Sequence, residues 1–297
     1  MKKYVGILAY LVSLAAYLHA AEPVGIFDDH QDLGVPGIPG FVEYDAASDT
    51  YRVDAVGATI SNRRFDDEAH FAFKEMSGSF AIEANPMPIE DIGRGGLMIR
   101  QTLDPDSIHI SLLMTSAAAS DDNSDLGSVF PTFRTVKGGG SVRDGDPYDA
   151  PGGFANANHT GPIRLERIGS SVHMYTLNNQ GAWVWFQSEA APFEEKVLAG
   201  LAATAENTNN LGLFEFTRVR IEELPLYVSR GLPTDELTKG ATLNGIKLTA
   251  KARTPVETAT IHEVLPLGSV ASNFQASAGT VTQNSDGSLS WVVPNLT

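Results

Sequence analysis

The most informative part of the sequence reads Leu97-Met98-Ile99-Arg100-Gln101-Thr102-Leu103, then Asp104-Pro105-Asp106-Ser107, then Ile108-His109-Ile110-Ser111-Leu112-Leu113-Met114. Proline at the second turn position presets φ, and the aspartate before it favours a tight turn. We therefore predict an antiparallel hairpin whose turn is closed by Asp104 and Ser107. In that register the cross-strand pairs on one face are Leu103–Ile108, Gln101–Ile110, Ile99–Leu112 and Leu97–Met114.

The two faces of this hairpin differ in polarity, because side chains alternate along a strand. One face is an apolar core wall, whereas the other presents Arg100 and His109. Arg134, in the candidate strand 130–136, adds a second guanidinium to the polar face. An arginine in mid-strand must reach a partner or solvent. The pattern predicts a sandwich with a polar face available to a ligand. An internal ion pair with Glu166 is the alternative use of the same side chains.

The first twenty residues have the pattern of an export signal. Lys2 and Lys3 precede an apolar run that ends at Leu18. The run is short for a bilayer crossing, and Pro23 would break a continuing helix. We predict that residues 1–20 are cleaved on export, so that the mature protein is secreted or periplasmic. An uncleaved N-terminal anchor is the alternative.

Composition excludes several classes of function. The chain has 297 residues, no cysteine and a formal net charge of -15. Without cysteine there can be no disulfide, no cysteine nucleophile and no cysteine-ligated zinc. The negative charge disfavours nucleic acid and anionic membranes as partners. We therefore expect no nucleic-acid partner and no membrane contact beyond export.

Short alternating strands separated by turn clusters fill residues 21–222, a pattern typical of a β-sandwich or barrel. Two prolines and a glycine within residues 223–236 mark a linker. Residues 237–297 form a second, small β module, with strands expected at 241–251, 257–264 and 288–293. About sixty residues are marginal for independent folding.

The first module resembles a known superfamily through an ordered set of motifs. These are Gly96-Leu97-Met98-Ile99-Arg100, Asp106-Ser107-Ile108-His109, Ile163-Arg164-Leu165-Glu166-Arg167-Ile168-Gly169, Gly181-Ala182-Trp183 and Gly200-Leu201-Ala202. The pattern is similar to the concanavalin A-like lectin/glucanase superfamily, in particular its bacterial exported domains of unassigned function. The resemblance implies a two-sheet jelly roll with a concave face, and it implies no reaction.

Two departures from known patterns accompany the resemblance. Relatives carry an aspartate at the turn where this chain has Gln180, so a charge is lost there. The tail from Leu232 is similar to Ig-like surface modules of exported bacterial proteins. Such modules normally continue for further strands, so this one is expected to be incomplete.

Catalytic and metal-binding patterns are weak. A glycosidase needs two carboxylates flanking the scissile bond. The consecutive Asp66-Asp67-Glu68 and the loop pair Glu194-Glu195 are predicted to be solvated. No Gly-x-Ser-x-Gly elbow occurs, and no histidine pair has zinc-ligand spacing. The acidic stretch 121–125 offers oxygens for Ca²⁺ but lacks the spacing of a calcium loop, so a solvated turn is favoured and no cofactor is expected.

Aromatic rings are the other device for binding sugars, because they stack on the apolar faces of pyranose rings. Trp183 and Trp185 share one face of a strand that is apolar on both faces, which favours core packing. Tyr148, in the Gly/Asp-rich loop 138–161, is the better candidate for an exposed ring.

The sequence thus predicts an all-β exported protein, a concanavalin A-like jelly-roll sandwich followed by a small Ig-like module. We expect it to bind a glycan or act as an adhesin without catalysis, through Arg100, His109, Arg134 and Tyr148. A glycoside hydrolase with carboxylates from separate strands is one alternative, and a purely structural surface module is the other.

Overall fold

The computed structural model describes residues 22–60, 65–89, 93–115, 129–143, 161–231, 245–252, 255–265 and 270–296. Within these ranges the regular structure is β, and no helix there could span a membrane. The strands are β1 Asp29–Leu33, β2 Phe41–Asp45, β3 Thr50–Gly57, β4 Ala69–Ser77, β5 Phe80–Pro88, β6 Arg94–Arg100, β7 His109–Thr115, β8 Val129–Arg134, β9 Val142–Arg143, β10 Ile163–Ile168, β11 Ser171–Leu177, β12 Trp183–Ala190, β13 Lys196–Thr204, β14 Asn207–Glu223, β15 Leu226–Gly231, β16 Lys247–Ala252, β17 Val256–Glu263, β18 Thr280–Gln283 and β19 Leu289–Leu296.

Two seven-stranded antiparallel sheets form the first module. The first sheet has the order β1-β4-β13-β6-β7-β8-β9, and the second has the order β12-β11-β10-β5-β14-β3-β2. Their inner faces share one buried apolar core, to which β6 contributes Leu97 and Ile99 and β10 contributes Ile163 and Leu165. The predicted all-β sandwich is confirmed. Each strand leaves its alternate side chains on an outer face, and these two outer faces are where a site can lie.

The decisive hairpin forms with the predicted turn, because the Ser107 amide donates to the Asp104 carbonyl at 3.0 Å. Its register, however, differs by two residues from the prediction: Ile99 lies opposite Ile110. The Ser107 hydroxyl accepts from the Thr102 amide at 2.9 Å, which holds residues 102–107 as a loop outside the ladder. A shift of two residues keeps each side chain on its predicted face.

The C-terminal module consists of two small sheets, β15-β16 and β17-β19-β18. Its buried core is Ala259, Ile261 and Val293. The expected linker 223–236 therefore contains a strand of this module, since β15 pairs along its whole length with β16. The signal segment 1–20, the acidic stretch 121–125 and Tyr148 lie outside the described residues.

Candidate functional site

Three of the predicted site residues lie side by side on the outer face of the first sheet. In the ladder, Arg100 of β6 faces His109 of β7, which in turn faces Arg134 of β8. Arg100 is the last residue of β6, His109 is the first of β7 and Arg134 is the last of β8, and their pairing aligns them in one row across the sheet. The prediction that these three side chains share a face is confirmed.

Asp67 is the common partner of this row. Its carboxylate accepts from Arg134 Nη1 at 3.0 Å and Nη2 at 2.8 Å, and from Arg100 Nη1 at 3.3 Å. His109 Nε2 lies 3.7 Å from the same carboxylate. We call Asp67, Arg100, His109 and Arg134 the Asp67 cluster. One carboxylate thus binds two guanidinium groups from neighbouring strands.

Backbone carbonyls of the adjoining loops take the remaining guanidinium protons. Arg134 donates to Gly139 O at 2.8 Å and to Ser107 O at 3.0 Å. Arg100 donates to Thr102 O at 2.6 Å. The Asp67 amide itself donates to Pro105 O at 2.8 Å. The hairpin loop and the turn after β8 therefore close over the row.

The expectation that this row faces an open groove is wrong. The side chains of Asp67, Arg100 and His109 are 0 % exposed, and Arg134 is 1 % exposed. The solvated position expected for Asp67 is wrong as well, whereas Glu194 and Glu195 are exposed as predicted. Burial is tolerated here because the charges are paired and hydrogen-bonded.

Burial shifts the titration of the cluster. It lowers the pKa of His109 to about 4, an effect that Asp67 opposes and the two arginines reinforce. It lowers the pKa of Arg100 to about 10 against the opposing effect of Asp67. His109 is therefore neutral at pH 7. Its Nδ1 lies 3.0 Å from Ser111 Oγ, and its Nε2 has no hydrogen-bond partner among the described residues.

The part of this outer face next to the cluster is also buried. Next to the cluster lie Met98, Leu113 and Phe130, all 0 % exposed. Beyond them, Arg94 Nη1 pairs with Glu206 Oε1 at 2.8 Å and its guanidinium lies 5.0 Å from the centre of the Phe130 ring. In this part of the first sheet the ionic and apolar side chains thus make contacts that are internal to the protein.

The outer face of the second sheet carries a different arrangement, centred on Arg164 of β10. Arg164 Nε donates to Glu166 at 2.8 Å, Nη1 to Glu83 at 3.2 Å, and Nη2 to Glu222 at 2.7 Å. Burial alone would lower the pKa of Arg164, but hydrogen bonds to Glu222 and Glu166 outweigh it and raise that pKa. The alternative pairing of Glu166 with the Asp67 cluster is therefore wrong.

Two tryptophans of β12 lie on the same outer face as this arginine. Trp185 lies directly opposite Tyr175, and Trp183 lies opposite Leu177, so both indoles are on the outer face. Trp185 is 60 % exposed, and Trp183 is half-buried, its ring centre 5.9 Å from the Arg164 guanidinium carbon. The expectation of core packing is wrong for Trp185, whose strand β12 is the last in the order of the described strands of its sheet.

Hydrogen bonds fix the orientation of the exposed ring. Trp185 Nε1 donates to Ser188 Oγ at 2.9 Å, and that hydroxyl lies 2.7 Å from His173 Nδ1. Burial lowers the pKa of His173, which Glu166 partly opposes. Burial raises the pKa of Tyr175 to about 12, reinforced by its hydrogen bond to Glu166, so the phenol is a proton donor at neutral pH.

We call this group the Arg164 band; it comprises Glu83, Arg164, Glu166, His173, Tyr175, Trp183, Trp185, Ser188 and Glu222. The sequence pattern indicates only part of this group, because its members come from several strands that are distant in sequence. Arg164 and Glu166 alternate on one strand, and His173 and Tyr175 alternate on the next, across the Gly169 turn. Nothing local shows that Glu83 and Glu222 join them. Among the described residues, no group of three or more potential ligands is arranged to hold a metal ion.

Comparisons with known proteins give distant likenesses of shape. No protein-family model and no curated protein matches the chain. Among solved structures, a functionally unknown protein from Saccharomyces cerevisiae is 14 % identical, with a TM-score of 0.45, over 66 % of this chain and 96 % of that one. A xylan β-1,4-xylosidase from Bacillus halodurans C-125 is 12 % identical, with a TM-score of 0.44, over 69 % of this chain and 41 % of that one.

An alginate lyase from Klebsiella pneumoniae is 13 % identical, with a TM-score of 0.38, over 62 % of this chain and 84 % of that one. This chain thus spans less than half the length of the xylosidase. At such identities and scores these likenesses assign no activity, so function is argued from the residues.

Proposed function

We propose that this protein is an exported, non-catalytic carbohydrate-binding sandwich of the concanavalin A-like kind, and that it binds glycan on the Arg164 band. Export rests on the pattern of residues 1–20, and the family rests on the motifs of the first module. The C-terminal module serves as an Ig-like appendage.

The observation that carries the proposal is the exposed indole of Trp185 on a polar sheet face. A tryptophan that is 60 % exposed leaves much of its apolar surface in water. Its hydrogen bond to Ser188 holds the ring in one orientation, so little entropy is lost when a ligand stacks on it. Tyr175 lies opposite, and hydroxyl-binding groups follow at Glu166 and His173.

The Asp67 cluster fits ligand binding less well. Its guanidinium groups already bind one carboxylate and several backbone carbonyls, and its side chains are buried. A ligand would have to break these contacts, each of which is charge-assisted. We therefore assign Arg100, His109 and Arg134 to stability and move the candidate site to the other sheet.

Non-catalytic binding is favoured by the way the band uses its carboxylates. Glu83, Glu166 and Glu222 all bind the same guanidinium, which holds them on the sheet surface. A glycosidase instead sets two carboxyl groups on opposite sides of the bond that is cleaved. Tyr175, with its pKa raised to about 12, is a donor for a sugar oxygen and not a base.

Screening the full-length protein on a glycan array, followed by calorimetry on the best ligand, tests the proposal. A single shallow sugar site has a Kd of roughly 0.1–1 mM. Trp185→Ala should weaken binding at least tenfold, while Trp185→Phe, which keeps a ring, should retain most of it. Val184→Ala, a change in the neighbouring residue, is the matched control and should leave Kd unchanged.

Three outcomes would contradict the proposal. Cleavage of a polysaccharide that depends on Glu83 or Glu166 would make the protein an enzyme. Absence of both binding and cleavage would favour a structural surface module. Binding that survives both Trp183→Ala and Trp185→Ala would place the glycan outside the Arg164 band.

A further inference from the structure

Every nitrogen of the Arg164 guanidinium already donates to a carboxylate of the protein itself. Each of its three nitrogens donates to a different glutamate, at 2.7–3.2 Å. Its side chain is 11 % exposed. Arginine recognises carboxylates through a free pair of parallel N–H groups, and here that fork is occupied from within the protein.

The charge around the rings is negative. One guanidinium and three carboxylates sum to 1 − 3 = −2. Glu222 is the most exposed of the three, at 58 %, while Glu83 and Glu166 are largely covered. His173 adds no positive charge at neutral pH, because burial lowers its pKa. A ligand carboxylate on this surface would meet like charges within one Debye length of about 8 Å.

An exposed arginine does lie on the same face, but far from the exposed ring. Arg220 of β14 faces Glu83, and the same row continues through Arg164 and Tyr175 to Trp185. Four strand spacings separate Arg220 from Trp185, which is roughly 19 Å at about 4.8 Å per spacing. Glu222 lies on the same strand as Arg220, but its carboxylate reaches back to Arg164 Nη2 at 2.7 Å, and the Arg164 guanidinium carbon lies 5.9 Å from the centre of the Trp183 ring. A sugar bound along Trp183 and Trp185 therefore meets the glutamates before it meets Arg220.

We infer that the Arg164 band selects glycans that lack carboxylates and binds cationic amino sugars more tightly than neutral sugars. This inference rests on the proposed function. A protonated amine on the sugar ring donates a charge-assisted hydrogen bond to Glu222, whose carboxylate is the accessible one. A neutral sugar gains stacking and neutral hydrogen bonds only. A uronic acid also stacks on the ring, but its carboxylate is repelled by the glutamates of the band.

Three hexasaccharides with the same β-1,4 linkage test this inference: those of glucosamine, glucose and mannuronate. Calorimetry with the full-length protein is done at low salt, at a pH where the amines are protonated and the carboxylates ionised. We expect the order glucosamine, glucose, mannuronate, with at least a tenfold difference in Kd between the first and the last. Raising the salt to 1 M should shrink that ratio, because exposed charges are screened.

Glu222→Gln should reduce the preference for glucosamine over glucose about threefold. Glu223→Gln removes the same charge from the next residue and is the matched control, which should keep the preference. Mannuronate binding as tightly as glucose would overturn the inference while leaving carbohydrate binding intact. An equal loss of preference in both glutamate variants would overturn it too. If none of the three binds, the inference fails, and the glycan array decides separately whether the proposed function holds.

Discussion

The two outer faces of the sandwich carry similar residue types and use them in opposite ways. On the first sheet, two arginines bind one aspartate and are fully buried. On the second sheet, one arginine binds three glutamates beside an exposed tryptophan. An arginine on a sheet face therefore has no fixed role. Its role depends on whether another segment of the chain covers that face.

The cover on the first sheet comes from segments that are distant in sequence. Asp67 reaches the row from the segment before β4, and its amide is tied to Pro105 in the hairpin loop. The turn after β8 supplies Gly139 O to Arg134. A buried guanidinium must find such partners, because an unpaired buried charge would cost several kcal/mol.

The largest expected effect is on the Asp67 cluster. Asp67→Asn leaves two buried guanidinium groups without a counter-charge and should lower the free energy of unfolding by about 3–5 kcal/mol. Asp66→Asn, an exposed neighbour with the same change, should shift it by less than about 0.5 kcal/mol. Urea unfolding at pH 7 measures both. A similar small loss for the two variants would show that the cluster does not stabilise the fold.

His109 predicts a loss of stability in acid. The folded-state pKa is about 4, below the ordinary value of 6.5, so the unfolded chain binds a proton between these pH values and the folded chain does not. Stability is therefore present above pH 6.5 and lost as pH falls towards 4, by about 3 kcal/mol at most. Urea unfolding at pH 7.5 and at pH 4 measures this loss. The drop in the free energy of unfolding between the two pH values should be smaller by about 3 kcal/mol in His109→Asn than in the wild type. Parallel pH profiles would contradict the assignment.

The outer face of the second sheet should contribute less to the free energy of unfolding than the Asp67 cluster does. Arg164→Gln removes three ion pairs that are partly exposed, and we expect a loss of about 1–2 kcal/mol that decreases in 1 M salt. Arg52→Gln is the control, because Arg52 makes a single pair with Glu215 and is 58 % exposed. It should cost about 0.5 kcal/mol or less. Thermal unfolding at two salt concentrations measures both, and a salt-independent loss would show that Arg164 acts through packing.

The smallest expected effect on stability belongs to the residue with the largest expected effect on binding. Trp185→Ala should change the free energy of unfolding by less than about 1 kcal/mol, because its ring is mostly in water. Phe130→Ala, which truncates an aromatic ring on the buried face, should cost about 3–5 kcal/mol. If Trp185→Ala destabilises as much as Phe130→Ala, the exposed ring is a structural element and not a platform.

Much of the sandwich could be predicted from the local alternation of apolar and polar residues. Alternation placed Ile99 in the core and Arg100 on the outer face, and a two-residue error in register did not change either face. Asp104-Pro105 marked the turn. The register itself was not readable, because it depends on the Ser107 hydroxyl binding the Thr102 amide. A side-chain hydrogen bond of this kind is not reflected in the alternation of apolar and polar residues, so the sequence pattern does not reveal it.

The candidate site was less predictable, since exposure is not a local property. Trp185 was expected in the core because its strand is apolar on both sides, but that strand forms the edge of its sheet. Glu83 and Glu222 come from strands 139 residues apart in sequence, 222 − 83, and meet only because β5 lies between β10 and β14. Only the strand order brings them to one arginine.

Alternation and turn chemistry involve only residues that are close in sequence. They were therefore enough to predict the all-β class, the hairpin turn and the face on which each hairpin side chain lies. The tertiary structure alone decided which outer face is covered and which is open. Burial and ion pairing depend on segments far apart in the chain, and the energies that choose between a paired buried arginine and an exposed one act only once those segments meet.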